Sequence, residues 1–297
     1  MTPRESGFLL LASQLGDPDR KPLTTAQLRE LSKLVGTMER PAEDRDLTEQ
    51  DLLRLGCGRA LAQRIPELLD QSALLEHYLR RGRRAGCVPL TRLSDAYPPA
   101  VLNRLGFEAP GCIWAKGDLS LLEKPAVALV GSRDLAPENE AFAREVGRQA
   151  ARQGYVLVSG NARGADRAAQ ESCLAAGGQV ISVVADELER HREKVGILYL
   201  SEEDFDKPFS AQRALSRNRI IHCMGLRTFV AQCADRQGGT WDGACRNLRF
   251  GWSPVYCFDD GSDGAELLFQ MGAELIKLEK LHDFAALPVR FFGLFDQ

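Results

Sequence analysis

The sequence predicts an α/β protein: a Rossmann-like, doubly wound, mostly parallel sheet preceded by a small helical domain. Three observations carry the prediction. From residue 126 onward, short runs that are apolar throughout alternate with longer stretches of helical periodicity. Strands with no polar alternation are covered on both faces, as in a parallel sheet with helices above and below it. Before about residue 85 the texture differs: short amphipathic helices separated by polar turns.

In the N-terminal part, "TTAQLRELSKLVGTM" places Leu28, Leu31, Leu34 and Val35 on one helical face behind a threonine cap at Thr24 or Thr25. "LTEQDLLRLGCGRALAQRIPELLDQ" gives two short helices around Gly56-Cys57-Gly58. This is either a helix-hairpin-helix able to hold a DNA phosphate on its hairpin amides or a glycine C-cap between two packing helices, which is the commoner arrangement. "YLRRGRRAG" ends the region with a basic run suited to a helix C-terminus. Residues 1–84 are therefore expected to form a helical, helix-hairpin-helix or SAM-like domain, and 85–297 the core. The connector 85–125 carries Pro98, Pro99, Pro110 and Pro125 and is too apolar for a free linker, so it is expected to pack on the core.

Within the core, "AVALV", "YVLV", "QVISVV", "GILYLS", "LRTFVAQC" and "PVYCF" read as strands. The helices are "ENEAFAREVGRQAARQG", "GADRAAQESCLAAGG", "SAQRALSRNRIIHCM", "TWDGACRNLRF" and "GAELLFQMG", two of them closed by glycine. Right-handed crossovers between such strands build an open twisted sheet.

The bulk numbers exclude several classes. A net charge of −3 gives no overall basic field, so any polyanion must meet a local patch. No stretch is apolar and long enough for a bilayer span, and "MTPRESGFLLLASQLGD" lacks a cleavage site, which points to a cytoplasmic protein without membrane attachment. The 8 cysteines are scattered without a CxxC pair and the 4 histidines lie apart, so reduced thiols, no metal and no cofactor are expected.

In an open α/β sheet, ligands sit beyond the carboxyl ends of the strands. The unusual residues of this chain fall there. Gly131, Ser132 and Arg133 follow the first strand; Ser159, Gly160, Arg163, Gly164 and Asp166 follow the second. Arg217, Asn218 and Arg219 fall in the "SRNRII" stretch of a helix, and Gly238, Gly239 and Thr240 form a glycine-rich turn before another. Glycines let amides converge on an anion, and arginine supplies a fixed cationic fork for phosphate. One such loop is ordinary turn chemistry; several at one sheet edge predict an anion-binding cleft. It is neither a G-x-G-x-x-G dinucleotide site nor a P-loop, since neither motif occurs.

These residues carry a resemblance. "VALVGSRD", "YVLVSGNARGADRAAQESCLAAGGQVISVV" and "SRNRII", with "DAYPPAVLNRL" and "KGDLSLL" before them and "GSDGAELLFQMGAELI" after, resemble the DprA/Smf DNA-processing protein family over roughly residues 85–276. The resemblance implies binding of single-stranded DNA, loading of a RecA-type recombinase as in natural transformation, a homodimer, and no established catalysis. Carried over by position, it makes Arg133 a main phosphate contact, with Ser132, Ser159, Gly160, Arg163, Arg217 and Arg219 building the pocket and Lys207 and Arg213 as weaker candidates on the approach. Phe209 and Trp241 are the aromatics nearest these loops. The chain diverges at Gln170, where the family usually has histidine, at "RQGGTWDGA", at "ADELERHREK" and at "VYCFDDGSDG". The alternative is a nucleotide sensor or a nucleoside-monophosphate-cleaving enzyme, which would need an acid or nucleophile from among Asp166, Glu203 and Asp242.

Overall fold

The structure is a computed structural model that describes residues 1–36 and 48–289. Thr37, Met38 and Leu47 of the predicted N-terminal helices, and residues 290–297 of the predicted core, lie outside the described residues.

Five helices come first: α1 (Pro3–Ala12), α2 (Thr25–Gly36), α3 (Glu49–Arg54), α4 (Arg59–Leu69) and α5 (Ser72–Arg84). Local capping explains several starts. Thr2 and Glu5 form a reciprocal capping box at α1, and Thr48 and Asp51 form one at α3. Thr24 caps α2 by accepting from the Gln27 amide at 3.3 Å. At the glycine hairpin, the Gly56 and Cys57 amides donate to Leu53 O (3.0 Å) and Leu52 O (2.9 Å). That is helix C-capping, with Gly56 at φ +86°, so these two amides are occupied by the protein itself.

The rest of the chain builds one nine-stranded sheet. Its elements are β1 (Val88–Thr91), α6 (Pro99–Leu105), β2 (Cys112–Gly117), β3 (Ala126–Val130), α7 (Pro137–Arg152), β4 (Val156–Ser159), α8 (Ala165–Ala175), β5 (Val180–Val184), β6 (Ile197–Ser201), α9 (Ala211–Met224), β7 (Thr228–Val230), α10 (Gly238–Phe250), β8 (Val255–Phe258), α11 (Asp263–Gln270) and β9 (Glu274–Ile276). The spatial order is β1-β2-β6-β5-β4-β3-β7-β8-β9. Strands β3 to β9 pair in parallel, whereas β2 runs antiparallel to both β1 and β6. The connector thus packs on the core by adding two strands to its edge.

Two apolar layers cover the sheet. On one face, Phe142 and Val146 of α7 and Ala165 and Ala169 of α8 pack with Leu9 of α1 and Tyr78 of α5. On the other, Val101, Ile220, Ile221, Ala244 and Leu268 come from α6, α9, α10 and α11. Helices α7 and α8 touch closely because Gly147 has no side chain: a Cβ there would lie 2.1 Å from Ala169 O. Strand β3 feeds α7 on the first face and its neighbour β7 feeds α10 on the second. The chain therefore winds outward in both directions from this pair, and a crevice opens at the carboxyl ends between the departing loops.

Candidate nucleic-acid interface

Two adjoining cavities occupy that crevice. One, of about 300 Å³, is lined by Arg133, Gly160, Arg163, Asp186, Phe209 and Arg217 among others. The other, of about 370 Å³, is lined by Gly131, Ser132, Asp166, Asn218 and the Gly238–Thr240 segment. Arg133, Ala162, Ala214 and Arg217 border both and form the wall they share.

Arg217 is the buried half of this wall. Its Nη2 donates to Gly160 O at 2.8 Å and lies 3.9 Å from Asp166 Oδ2. Its Nε is buried and has no hydrogen-bond partner. Burial lowers the guanidinium pKa and Asp166 opposes that shift. Gly160 makes the arrangement possible: a Cβ there would sit 1.7 Å from Arg217 Nη1. Gly164, at φ +83°, likewise lets α8 begin against the backbone, since a Cβ would lie 2.4 Å from both Ser132 O and Arg133 O.

Asp166 is the anion that this loop already holds. It accepts the Ala162 amide at 3.1 Å and hydrogen bonds with the Gly160 backbone, and it is buried. Burial raises its pKa, while Arg217 and the two amides pull the other way. The amides of residues 160 and 162 therefore face inward and are not spare donors. Asn161 takes the left-handed conformation, φ +60°, that turns the chain around this carboxylate.

Arg133 is the exposed half of the wall. Among the described residues it makes no hydrogen bond or ion pair, and it borders both cavities. Arg163 is also exposed but meets Asp134 at 2.9 Å. Ser132 gives its amide to Gln232 O and its carbonyl to the Ala165 amide, leaving the hydroxyl at the second cavity. Asn218 Nδ2 donates to Gly239 O at 3.1 Å, which fixes the start of α10 against α9. Gly238, Gly239 and Thr240 form the first turn of α10 rather than a loop ahead of it.

Four predicted members, Arg219, Ser159, Lys207 and Arg213, border neither cavity. Arg219 is two residues beyond Arg217 on α9, roughly 200° around the helix, and cannot face the same side. It bonds Glu202 and Glu108 O and borders a separate depression against the N-terminal helices. Ser159 is fully buried and its hydroxyl receives Gln170 Nε2 at 2.7 Å, so Gln170 serves the floor of the crevice rather than a ligand. Lys207 borders the same separate depression, with Nζ on Gln14. Arg213 is buried and clamps backbone: Ala185 O at 3.0 Å and Lys207 O and Pro208 O at 2.6 Å each, with Ser201 Oγ at 3.1 Å.

Of the two aromatics, Phe209 is 55% exposed and borders the first cavity; Trp241 packs half-buried against the core. Asp186, which no sequence motif marked, also borders that cavity. It is held by His191 at 2.8 Å, which helps keep its carboxyl below the usual range against the effect of burial.

Comparison with known proteins decides the relationship. The family model described as DNA recombination-mediator protein A matches residues 89–286, about two thirds of the chain. The chain belongs to that family. Protein Smf of Escherichia coli is 31% identical over 199 residues, a match covering 62% of this chain and 52% of Smf. DNA processing protein DprA of Streptococcus pneumoniae is 31% identical over 198 residues, covering 62% of this chain and 69% of that one. The chain thus spans about half the length of Smf. The X-ray structure of the S. pneumoniae DprA superposes with a TM-score of 0.72 at 26% identity, over 93% of this chain and 95% of that one. DNA processing protein A of Helicobacter pylori, whose structure concerns its single-stranded DNA binding mode, shares the fold at a TM-score of 0.55 and 23% identity. That match covers 67% of this chain and 93% of that one. Within the DNA recombination-mediator family frame, the two cavities lie where the VGSR, SG-x-ARG and RNRII segments meet.

Proposed function

We propose that this DNA recombination-mediator family member binds single-stranded DNA across the two cavities and delivers it to a RecA-type recombinase. It acts as a binding protein rather than a catalyst, as a homodimer in the cytoplasm. The observation that carries the reading is Arg133: an exposed guanidinium with no partner among the described residues, on the wall between two cavities. A phosphate on that wall meets Arg133 from outside with Arg217 beneath it, and the flanking nucleosides fall to either side. Phe209 offers a base a face in the first cavity, and base–aromatic stacking contributes about 1–3 kcal/mol per base.

None of the three acids named for the nucleotide-cleaving alternative stands free in the cavities. Asp166 is buried and occupied by Arg217 and the loop amides. Glu203 pairs with Arg213 at 3.4 Å, and neither Glu203 nor Asp242 borders either cavity.

Arg133→Ala tests the reading. It removes an exposed cation with no structural partner, so the thermal melt stays unchanged while affinity for labelled oligo-dT falls about tenfold or more, as expected for the loss of a charged contact. Unchanged affinity, or full competition by a nucleoside monophosphate at equal concentration, would overturn it.

A further inference from the structure

The segment between β6 and α9, residues 202–210, carries Phe209, and its Asp204, Phe205, Asp206 and Lys207 side chains reach away from the cleft to the N-terminal region. Asp206 Oδ1 accepts from the Tyr78 hydroxyl at 2.7 Å, and Asp206 Oδ2 from Arg81 Nη2 at 2.6 Å, both residues of α5. Asp204 Oδ1 accepts from Ser13 Oγ at 2.7 Å just after α1, and Lys207 Nζ reaches Gln14. Phe205 is fully buried between them, stacked on Tyr78 at 4.6 Å and edge-on to Trp114 at 4.7 Å, with the Arg81 guanidinium over its ring at 4.9 Å.

The receiving turn is shaped to this fit. Leu15 and Gly16 are both left-handed, at φ +54° and +78°, and a Cβ on Gly16 would lie 2.9 Å from the Tyr78 ring and 3.1 Å from Asp206 Oδ2. A non-glycine residue in that conformation persists where surrounding contacts over-determine it. On the other side of the segment, Arg213 holds Lys207 O and Pro208 O against the end of β5, so Phe209 projects from a strip fixed at both edges.

We propose that Asp206, held by Tyr78 and Arg81, is a positioning residue for the cleft: through it, α5 sets the place of Phe209 and hence the grip on bases. The proposal rests on the strand-binding reading above. It follows that α5 contributes to DNA affinity without touching the strand.

The test is a double-mutant cycle on the full chain, read by oligo-dT titration. Phe209→Ala loses the stacked base and weakens binding about 5- to 150-fold, the range of a single stacking contact. Asp206→Asn, isosteric but uncharged, weakens binding about 3- to 10-fold while the salt dependence of affinity stays that of the wild type. In the Phe209→Ala background Asp206→Asn has no further effect, because its contribution passes through that ring. Tyr78→Phe removes only the hydroxyl and gives the same pattern more weakly, which keeps the test intact if Asp206→Asn folds poorly. Equal losses from Asp206→Asn and Tyr78→Phe with and without Phe209, or wild-type affinity in both variants, would overturn the positioning role alone. Failure of the wild type to bind oligo-dT would overturn the strand-binding reading and this proposal together.

Discussion

Gly160→Ala is the sharpest structural perturbation of the cleft. The added Cβ would fall 1.7 Å from Arg217 Nη1 and 2.1 Å from both Cζ and Nη2, well inside contact distance. The guanidinium it meets is buried but borders both cavities, so the clash is relieved by pushing it out toward them. Driving it out breaks the bond to Gly160 O and leaves Asp166 buried without its cation. Breaking a buried pair in this way costs about 3–5 kcal/mol, and overpacking alone costs about 1–3 kcal/mol. Because the two terms describe the same displacement, a loss of about 3–4 kcal/mol is expected. At roughly 2–4 °C per kcal/mol for a chain of this size, the melting midpoint falls by about 6–16 °C. Urea unfolding followed by far-UV circular dichroism measures the loss directly, and oligo-dT affinity should fall with it as the shared wall shifts. A midpoint within about 0.5 kcal/mol of the wild type would refute the account of why glycine stands at residue 160.

Further outcomes follow from the same geometry. Gln170→Leu removes the amide that donates to Ser159 Oγ and leaves buried hydroxyls at Ser159 and Ser182 short of a donor, so stability should drop about 1–3 kcal/mol in urea titration. Arg163→Ala removes an exposed cation paired to an equally exposed Asp134; the melt should not move, and the salt slope of binding should shrink by about one phosphate contact. His222 is fully enclosed, and burial with Arg217 nearby lowers its pKa to about 3. The unfolded chain, with an ordinary histidine, therefore binds a proton that the folded state refuses between about pH 6.5 and 3. Its contribution to stability is complete above pH 6.5 and is lost as pH falls; His222→Gln should flatten that part of the stability profile, measured as urea midpoints at pH 7 and 4.5.

The parallel heart of the sheet was legible because β3 to β8 are short and almost wholly apolar, as strands covered on both faces must be. β1, β2 and β9 were not. Pro89 sits in β1, Lys116 and Gly117 end β2, and β9 is three residues long. These strands take their structure from neighbours: Lys116 is buried because its Nζ reaches Glu189 O at 3.1 Å. At the site, the sequence named the cations but not their orientation. Arg217 and Arg219 share a motif, yet helical geometry sends one into the crevice and the other to Glu202. That Asp166 occupies the amides of its own loop depends on a turn through left-handed Asn161, which residue types alone do not specify. Asp186 went unmarked for the same reason: only the sheet brings the end of β5 beside Phe209.

The central claim is that a phosphate of single-stranded DNA sits on the wall formed by Arg133 and Arg217. Titrating labelled oligo-dT at about 50 and 200 mM salt, with wild type and Arg133→Ala side by side, tests it most directly. The account predicts wild-type affinity that falls steeply with salt at about 0.7 per phosphate contact in the log–log slope, and a slope reduced by one such contact in the variant. Binding that is insensitive to salt, or identical slopes for the two proteins, would contradict it.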